Sequence, residues 1–286
     1  MSAATEITLA TGRGRLAALR SGDPKGPKLL ALHGWLDNAA SFEPLLPELA
    51  DVDLVALDLA GHGASEHRAT GYDYVYADWV HDVIDVLDSL GWERADLLGH
   101  SMGATIASTV AAAAPERVRR LALIEGLGPL GGDAGAAGLR LREAIAARRA
   151  YEARAGEPPR RIPTMAAAVT ARLMATPMRV EDAERIVDRN LQATEDGFAW
   201  RSDPRLRLPS TLRLNEEAVQ SILRAIEAPT LLVAATPSPS YFTPAQRAAR
   251  AACVRDLRVE VLEGGHHLHM EHPARVGALL RDFLAG

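Results

Sequence analysis

The chain has 286 residues, 48% of them hydrophobic, a formal net charge of -5 and a single cysteine. That is enough apolar material for one large packed domain, or for a domain with a substantial insertion, and it excludes a disordered chain. The modest charge is spread along the sequence, which argues against nucleic acid as the main partner; Cys253 alone excludes an intramolecular disulfide framework and fits a reducing compartment.

The opening stretch MSAATEITLATGRGRLAALRSG lacks the charged start and apolar run of a signal peptide. No segment approaches the roughly 20 apolar residues that cross a bilayer. The expectation is a soluble cytoplasmic protein with no membrane partner. Short apolar runs then alternate with amphipathic segments, the pattern of a mostly parallel sheet flanked by helices. Strands are predicted at 6–9, 15–19, 28–33, 53–57, 95–99, 119–125, 230–235 and 258–262, and they form one sheet of eight. In DWVHDVIDVLDSLGW the residues Val80, Val83, Ile84, Leu87 and Leu90 share a helical face that Gly91 ends. A second helix is predicted from just after Ser101 to about Ala114, where Pro115 stops it. Between Gly131 and Glu227 the alternation gives way to Arg- and Ala-rich sequence with helical spacing, which reads as an insertion. The proline-rich stretch 156–163 is expected to separate two of its helices. The predicted organisation is a core of 1–130 and 227–286 with a helical cap at 131–226.

Three stretches carry chemistry. GHSMG, residues 99–103, follows the apolar run ADLL and precedes ATIASTVAAAA, so it has the strand, sharp turn and helix context of a nucleophile elbow. Its glycines let the backbone pass close to its neighbours while Ser101 is held in a strained turn. LLALHGWLDN, residues 29–38, runs from an apolar strand into His33 and Gly34. Acyl transfer needs two N–H donors for the oxyanion, and the amides of Trp35 and Met102 are the candidates. His33, Gly34 and Asp37 are expected beside the substrate, with Asp37 either touching it or holding the loop. GGHHLHMEHP, residues 264–273, follows an alternating strand and offers His266 to Ser101. Its four histidines have ligand chemistry, but the loop holds no HExxH or Cys pattern, and so closely spaced a set rarely encloses one ion. No metal is expected there, and no cofactor anywhere.

The stretches LHGWLDN, LDLAGHGAS, LLGHSMGA and GGHHLHMEHP resemble, in order and spacing, those of the α/β-hydrolases, and the likeness covers nearly the whole chain. HGWLDNAASF with GHGASEHR and GHSMG is similar to the serine hydrolase-like group. The resemblance implies an eight-stranded, mostly parallel sheet flanked by helices, the α/β-hydrolase fold, with a helical cap inserted after the sixth strand. In most members of that family the triad acid follows the strand after the cap; counting from Pro229 puts Ser238 there, which cannot be anionic. A serine triad needs a carboxylate to hold the imidazole tautomer and stabilise the imidazolium. Glu125, at the end of RLALIE on the strand beside that of Ser101, is the strongest substitute, and it keeps the order nucleophile, acid, histidine. Asp58 is read as organising the AGHG turn, Glu263 as too near His266 in sequence, and Glu271 as part of a helix start favoured by the helix dipole.

The expected activity is that of a serine hydrolase, a carboxylesterase by first guess, working through Ser101, His266 and Glu125 on a small-molecule ester or acyl substrate. Lactones, and carbon–carbon cleavage of diketones, stay open as alternatives. Ser at position 101 argues against the Asp-nucleophile chemistry of epoxide hydrolases and haloalkane dehalogenases of this fold. Trp200, with Tyr151, Met165, Met174 and Phe198, is a candidate pocket lining, although cap core is the commoner role of such residues. The rival from another class is a non-catalytic ligand-binding protein on a hydrolase scaffold. Oligomeric state is not legible.

Overall fold

The apolar runs form strands for a simple reason: β3 to β6 are buried on both faces, so they need no polar alternation. The computed structural model describes residues 4–157 and 161–286. In chain order the strands are β1 (Thr5–Thr11), β2 (Gly14–Gly22), β3 (Lys28–Leu32), β4 (Asp53–Leu57), β5 (Ala95–His100), β6 (Val118–Ile124), β7 (Leu191–Thr194), β8 (Gly197–Trp200), β9 (Thr230–Thr236) and β10 (Leu257–Glu263). Eight of them form one sheet in the order β1-β2-β4-β3-β5-β6-β9-β10. The first two pairings, β1 with β2 and β2 with β4, are antiparallel and the rest parallel. The eight predicted strands are these eight, with no end moved by more than three residues.

The two predicted helices are α1 (Tyr76–Ser89) and α2 (Met102–Ala113). On one side of the sheet they pack Val83, Val86, Leu87, Ile106 and Val110 into the larger apolar core, together with Leu30, Leu32, Leu121 and Leu123. On the other side Phe42 and Leu45 meet Leu29, Val233 and Leu280. Two buried faces are what hold a parallel sheet out of water.

Between β6 and β9 lie α3 (Ala137–Glu152), α4 (Met165–Ala175), α5 (Val180–Asn190) and α6 (Glu216–Arg224), and the β7–β8 hairpin. The sequence reading expected helices alone here. The hairpin was hidden because its strands are four residues long and its two-residue turn, Glu195-Asp196, is no strong hairpin pair; Gly197, which opens β8, has a φ of 131°. The proline stretch at 156–163 lies in part, at 158–160, outside the described residues. Ile162, Ala168, Val169, Ala183, Val187 and Leu191 give this segment a small core of its own, whereas α6 sends Val219 and Leu223 into the larger core beside α2. The chain finishes with α7 (Pro244–Ala251), α8 (Leu268–Glu271) and α9 (Pro273–Ala285). Among the described residues, no helix is long and apolar enough to cross a membrane.

Candidate active site

Only three non-glycine residues among those described have φ in the left-handed region: Leu36 at 60°, Ser101 at 51° and Glu125 at 55°. Each stands where a strand of the sheet runs out at its carboxyl edge: β3, β5 and β6. Backbone strain of this kind costs on the order of 1–3 kcal/mol per residue and persists only where the surroundings enforce it. At Ser101 the enforcement is visible. The turn from β5 into α2 brings the backbone so close that a Cβ on Gly103 would lie 1.9 Å from the Leu32 carbonyl, and one on Gly99 2.5 Å from Ala104. Ser101 itself donates its N–H to the Ile124 carbonyl at 2.9 Å, which pins the elbow to β6.

The loop after β3 is built around His33. This fully buried ring accepts the Leu59 N–H at Nε2, 3.0 Å away, so its proton is on Nδ1, where it donates to the Gly34 carbonyl at 2.7 Å. Burial pushes its pKa down to about 4, so the neutral ring persists. Anchoring the Gly34 carbonyl turns the N–H of the same trans peptide, that of Trp35, the opposite way. Met102 is the first residue of α2, so its N–H has no intrahelical acceptor. Among the described residues, neither N–H makes a loop or turn bond to a backbone carbonyl. These are two free donors on the loop and the helix start that flank the Ser101 turn.

Glu125 is buried, and its two carboxylate oxygens have different work. Oε1 accepts the Ala235 N–H from β9 at 2.6 Å, and Oε2 lies 3.3 Å from Nδ1 of His266. Its own N–H donates to Val233 at 3.0 Å. The side chain is therefore held by the neighbouring strand with one oxygen turned to the imidazole. Ser238 points elsewhere: its hydroxyl accepts from Arg247 at 3.1 Å. The histidine loop is closed by Glu271, whose carboxylate accepts the Gly265 N–H at 2.7 Å. Glu271 also stands in the first turn of the short helix Leu268–Glu271, as the sequence expected. Asp58 does organise the AGHG turn, accepting from Ala64 at 2.8 Å and from Ala39 at 2.7 Å.

Among the described residues, no hydrogen bond joins Ser101 Oγ to His266. A residue that sequence reading missed, Tyr241, comes instead: its hydroxyl lies 3.0 Å from Nδ1 and 3.2 Å from Nε2 of the ring. Tyr241 is half-exposed, and desolvation with the Glu125 charge nearby pushes the phenol up to about 12. It remains a neutral donor and acceptor at any ordinary pH. The only signal for it was its place, three residues past Ser238 in the loop that lacks a carboxylate.

Three of the residues expected at the substrate are placed otherwise. His33 is closed off in the core, where it sets the Gly34 peptide. Asp37 is 2% exposed, accepting Arg172 at 2.5 Å on Oδ1 and His267 at 3.1 Å on Oδ2. Burial acts to raise that carboxyl, but His267, His100 and Arg172 overcome it and hold Asp37 well below the usual carboxylate range. Of its two expected uses, holding the loop is the one its burial permits. Trp200 packs with Phe198 and Met165 on the small core of the inserted segment, because β8 turns it towards Leu191, its partner on β7. The inserted segment is nevertheless tied to this end of the sheet. Arg172 of α4 holds Asp37, Arg189 of α5 pairs with Asp58 at 2.8 Å, and the Trp35 indole donates to Leu206 at 3.1 Å.

Residues 27–273 match the alpha/beta hydrolase fold family. A serine hydrolase-like protein of Dictyostelium discoideum is 30% identical, the alignment covering 98% of this chain and 81% of that protein. Among solved structures, a hypothetical protein from Pseudomonas aeruginosa PAO1 is 41% identical with a TM-score of 0.91, covering 98% of this chain and 99% of that one. A thioesterase domain from the curacin biosynthetic pathway is 25% identical with a TM-score of 0.85, covering 98% and 100%.

Proposed function

The chain belongs to the alpha/beta hydrolase family, and from that premise we propose that it hydrolyses a carboxylic ester or related acyl bond through an acyl-enzyme on Ser101. His266 takes the Ser101 proton, Ser101 attacks the carbonyl, and the amides of Trp35 and Met102 receive the oxyanion. Glu125 holds the imidazole with its proton on Nδ1, leaving Nε2 free to act as the base. His266 then protonates the leaving group and activates water for the second half-reaction. The single observation that carries this reading is the Glu125–His266 contact of 3.3 Å, made by a carboxylate whose other oxygen is fixed on β9.

Residues 131–226 act as a cap over core residues 1–130 and 227–286, and the ties from Arg172, Arg189 and Leu206 to the loops beside Ser101 support that assignment. Similarity to a thioesterase domain keeps thioesters beside oxygen esters in the substrate class. A cytoplasmic, reducing location agrees with the lone Cys253.

A second reading, ligand binding without catalysis, draws on Tyr241 standing at the imidazole where Ser101 is not bonded to it. Incubation with a fluorophosphonate probe decides between them. The catalytic reading expects covalent labelling of Ser101, and a fall of about 10⁴-fold or more in the hydrolysis of nitrophenyl esters for Ser101→Ala. An unlabelled but ligand-binding protein would establish the second reading instead.

A further inference from the structure

Behind the proposed catalytic histidine lies a second cluster that the mechanism does not use. Asp37 comes from the loop after β3, His100 from the end of β5, and His267 from the loop between β10 and α8. All three are buried, and each offers one ligand atom within 4.8 Å of the others. The Asp37 Oδ2 atom lies 3.1 Å from His267 Nε2 and 3.6 Å from His100 Nδ1.

A buried ring nitrogen of this cluster is left without a partner among the described residues. The contact of His100 Nε2 with the His266 carbonyl, 2.9 Å, needs a proton on that nitrogen, because a carbonyl only accepts. The other ring nitrogen, Nδ1, lies 3.6 Å from the carboxylate oxygen of Asp37 and has no hydrogen-bond partner among the described residues. A buried ring nitrogen left unpaired beside a carboxylate is unfavourable unless a proton or a cation lies between them. His269 adds to the imbalance: its ring centroid is 4.4 Å from that of His100, it is buried, and neither of its ring nitrogens has a partner.

We propose that Asp37, His100 and His267 form a binding site for a divalent transition-metal ion of borderline softness, zinc being the type case. Two imidazoles and a carboxylate suit zinc, copper(II) or nickel(II) and do not suit calcium or magnesium. Bonds of about 2.0–2.1 Å to a tetrahedral ion space the ligand atoms by roughly 3.3 Å, which the two measured separations bracket. His100 is already oriented by its bond to the His266 carbonyl, the outer-shell support that metal-bound imidazoles ordinarily have. On binding, the contact between His267 Nε2 and Asp37 gives way to a bond from each atom to the ion, the proton on Nε2 is displaced to Nδ1 or to solvent, and three metal–ligand bonds form. The Arg172 guanidinium, on the other oxygen of Asp37, opposes the ion by its charge. The sequence argued against a metal shared among the four histidines of one loop; this set takes one of those four and joins it to residues 37 and 100.

The test titrates chelator-stripped protein with Zn²⁺ by calorimetry and with Co²⁺ by visible absorption. The expected result is one equivalent bound, a cobalt spectrum of tetrahedral type, at least tenfold weaker binding in His267→Gln and His100→Gln, and tighter binding in Arg172→Met. Ser101→Ala keeps the site, so loss of hydrolysis and loss of metal are separable. Binding of unchanged strength in both histidine variants would assign the ion to exposed histidines such as His67, His81 or His272 and overturn the proposal. So would a folded wild-type protein that yields no tetrahedral cobalt spectrum. If the histidine variants do not fold, the wild-type cobalt spectrum and the direction of the Arg172→Met effect decide it, and an Arg172→Met affinity equal to or below wild type would overturn it.

Discussion

Glu125 and His266 are separated by 141 positions in the chain, yet Oε2 of one lies 3.3 Å from Nδ1 of the other, while the remaining carboxylate oxygen is bonded to the Ala235 N–H. The carboxylate therefore reaches the imidazole from the end of β6, and β9 contributes the backbone donor that aims it.

This arrangement makes Glu125→Gln informative. The amide oxygen can still accept from Ala235, so the variant folds, but an amide N–H turned to Nδ1–H meets donor with donor and favours the wrong tautomer. We expect kcat to fall by about 10²- to 10⁴-fold with KM little changed, measured on a nitrophenyl ester. Wild-type turnover in the variant would remove Glu125 from the reaction.

Tyr241→Phe deletes one hydroxyl from a half-exposed side chain. Stability should move by no more than about 0.5 kcal/mol, as for a surface change. The imidazolium formed when Ser101 is deprotonated loses an acceptor, and a bond to a charged group that is partly wet lowers kcat/KM by roughly three- to tenfold. A rise in kcat/KM on substitution would instead mark the hydroxyl as a group that must leave before Ser101 can meet His266.

Acid stability follows from two imidazoles in the loops under the site. Burial lowers His33 to about 4 and His62 to about 3, against an ordinary value near 6.5. Asp37 and Asp58 oppose burial with smaller effects, while His100 and Arg189 act in its direction on His33. Because the folded state holds these rings neutral, the unfolded chain takes up protons first as pH falls. Their contribution is complete above about 6.5 and drains away between that pH and 3–4, by on the order of 2 kcal/mol per ring at pH 5. Urea unfolding at pH 7 and pH 5 measures it directly, and equal stability at the two would contradict the burial of neutral rings.

The eight strands, α1 and α2 were legible because their apolar runs, helical face and flanking breakers are local properties of short stretches. The same holds for the placing of Ser101 and His266, which stand beside glycines, and for that of Glu125 at the end of β6, singled out by the gap at Ser238. The sequence could not show that His33 and Asp37 are sealed off from solvent, that Trp200 belongs to the core of the inserted segment, or that Tyr241 stands at the imidazole. Those facts depend on which elements lie side by side after folding, and side chains from distant loops carry no mutual spacing for a reader to count. By itself the chain determined that a serine, a histidine and a glutamate reach one edge of a parallel sheet. Only tertiary structure decided what stands behind them: it places Asp37, His100 and His267 together, since converging ligand atoms are a property of packed loops and not of any segment of the chain.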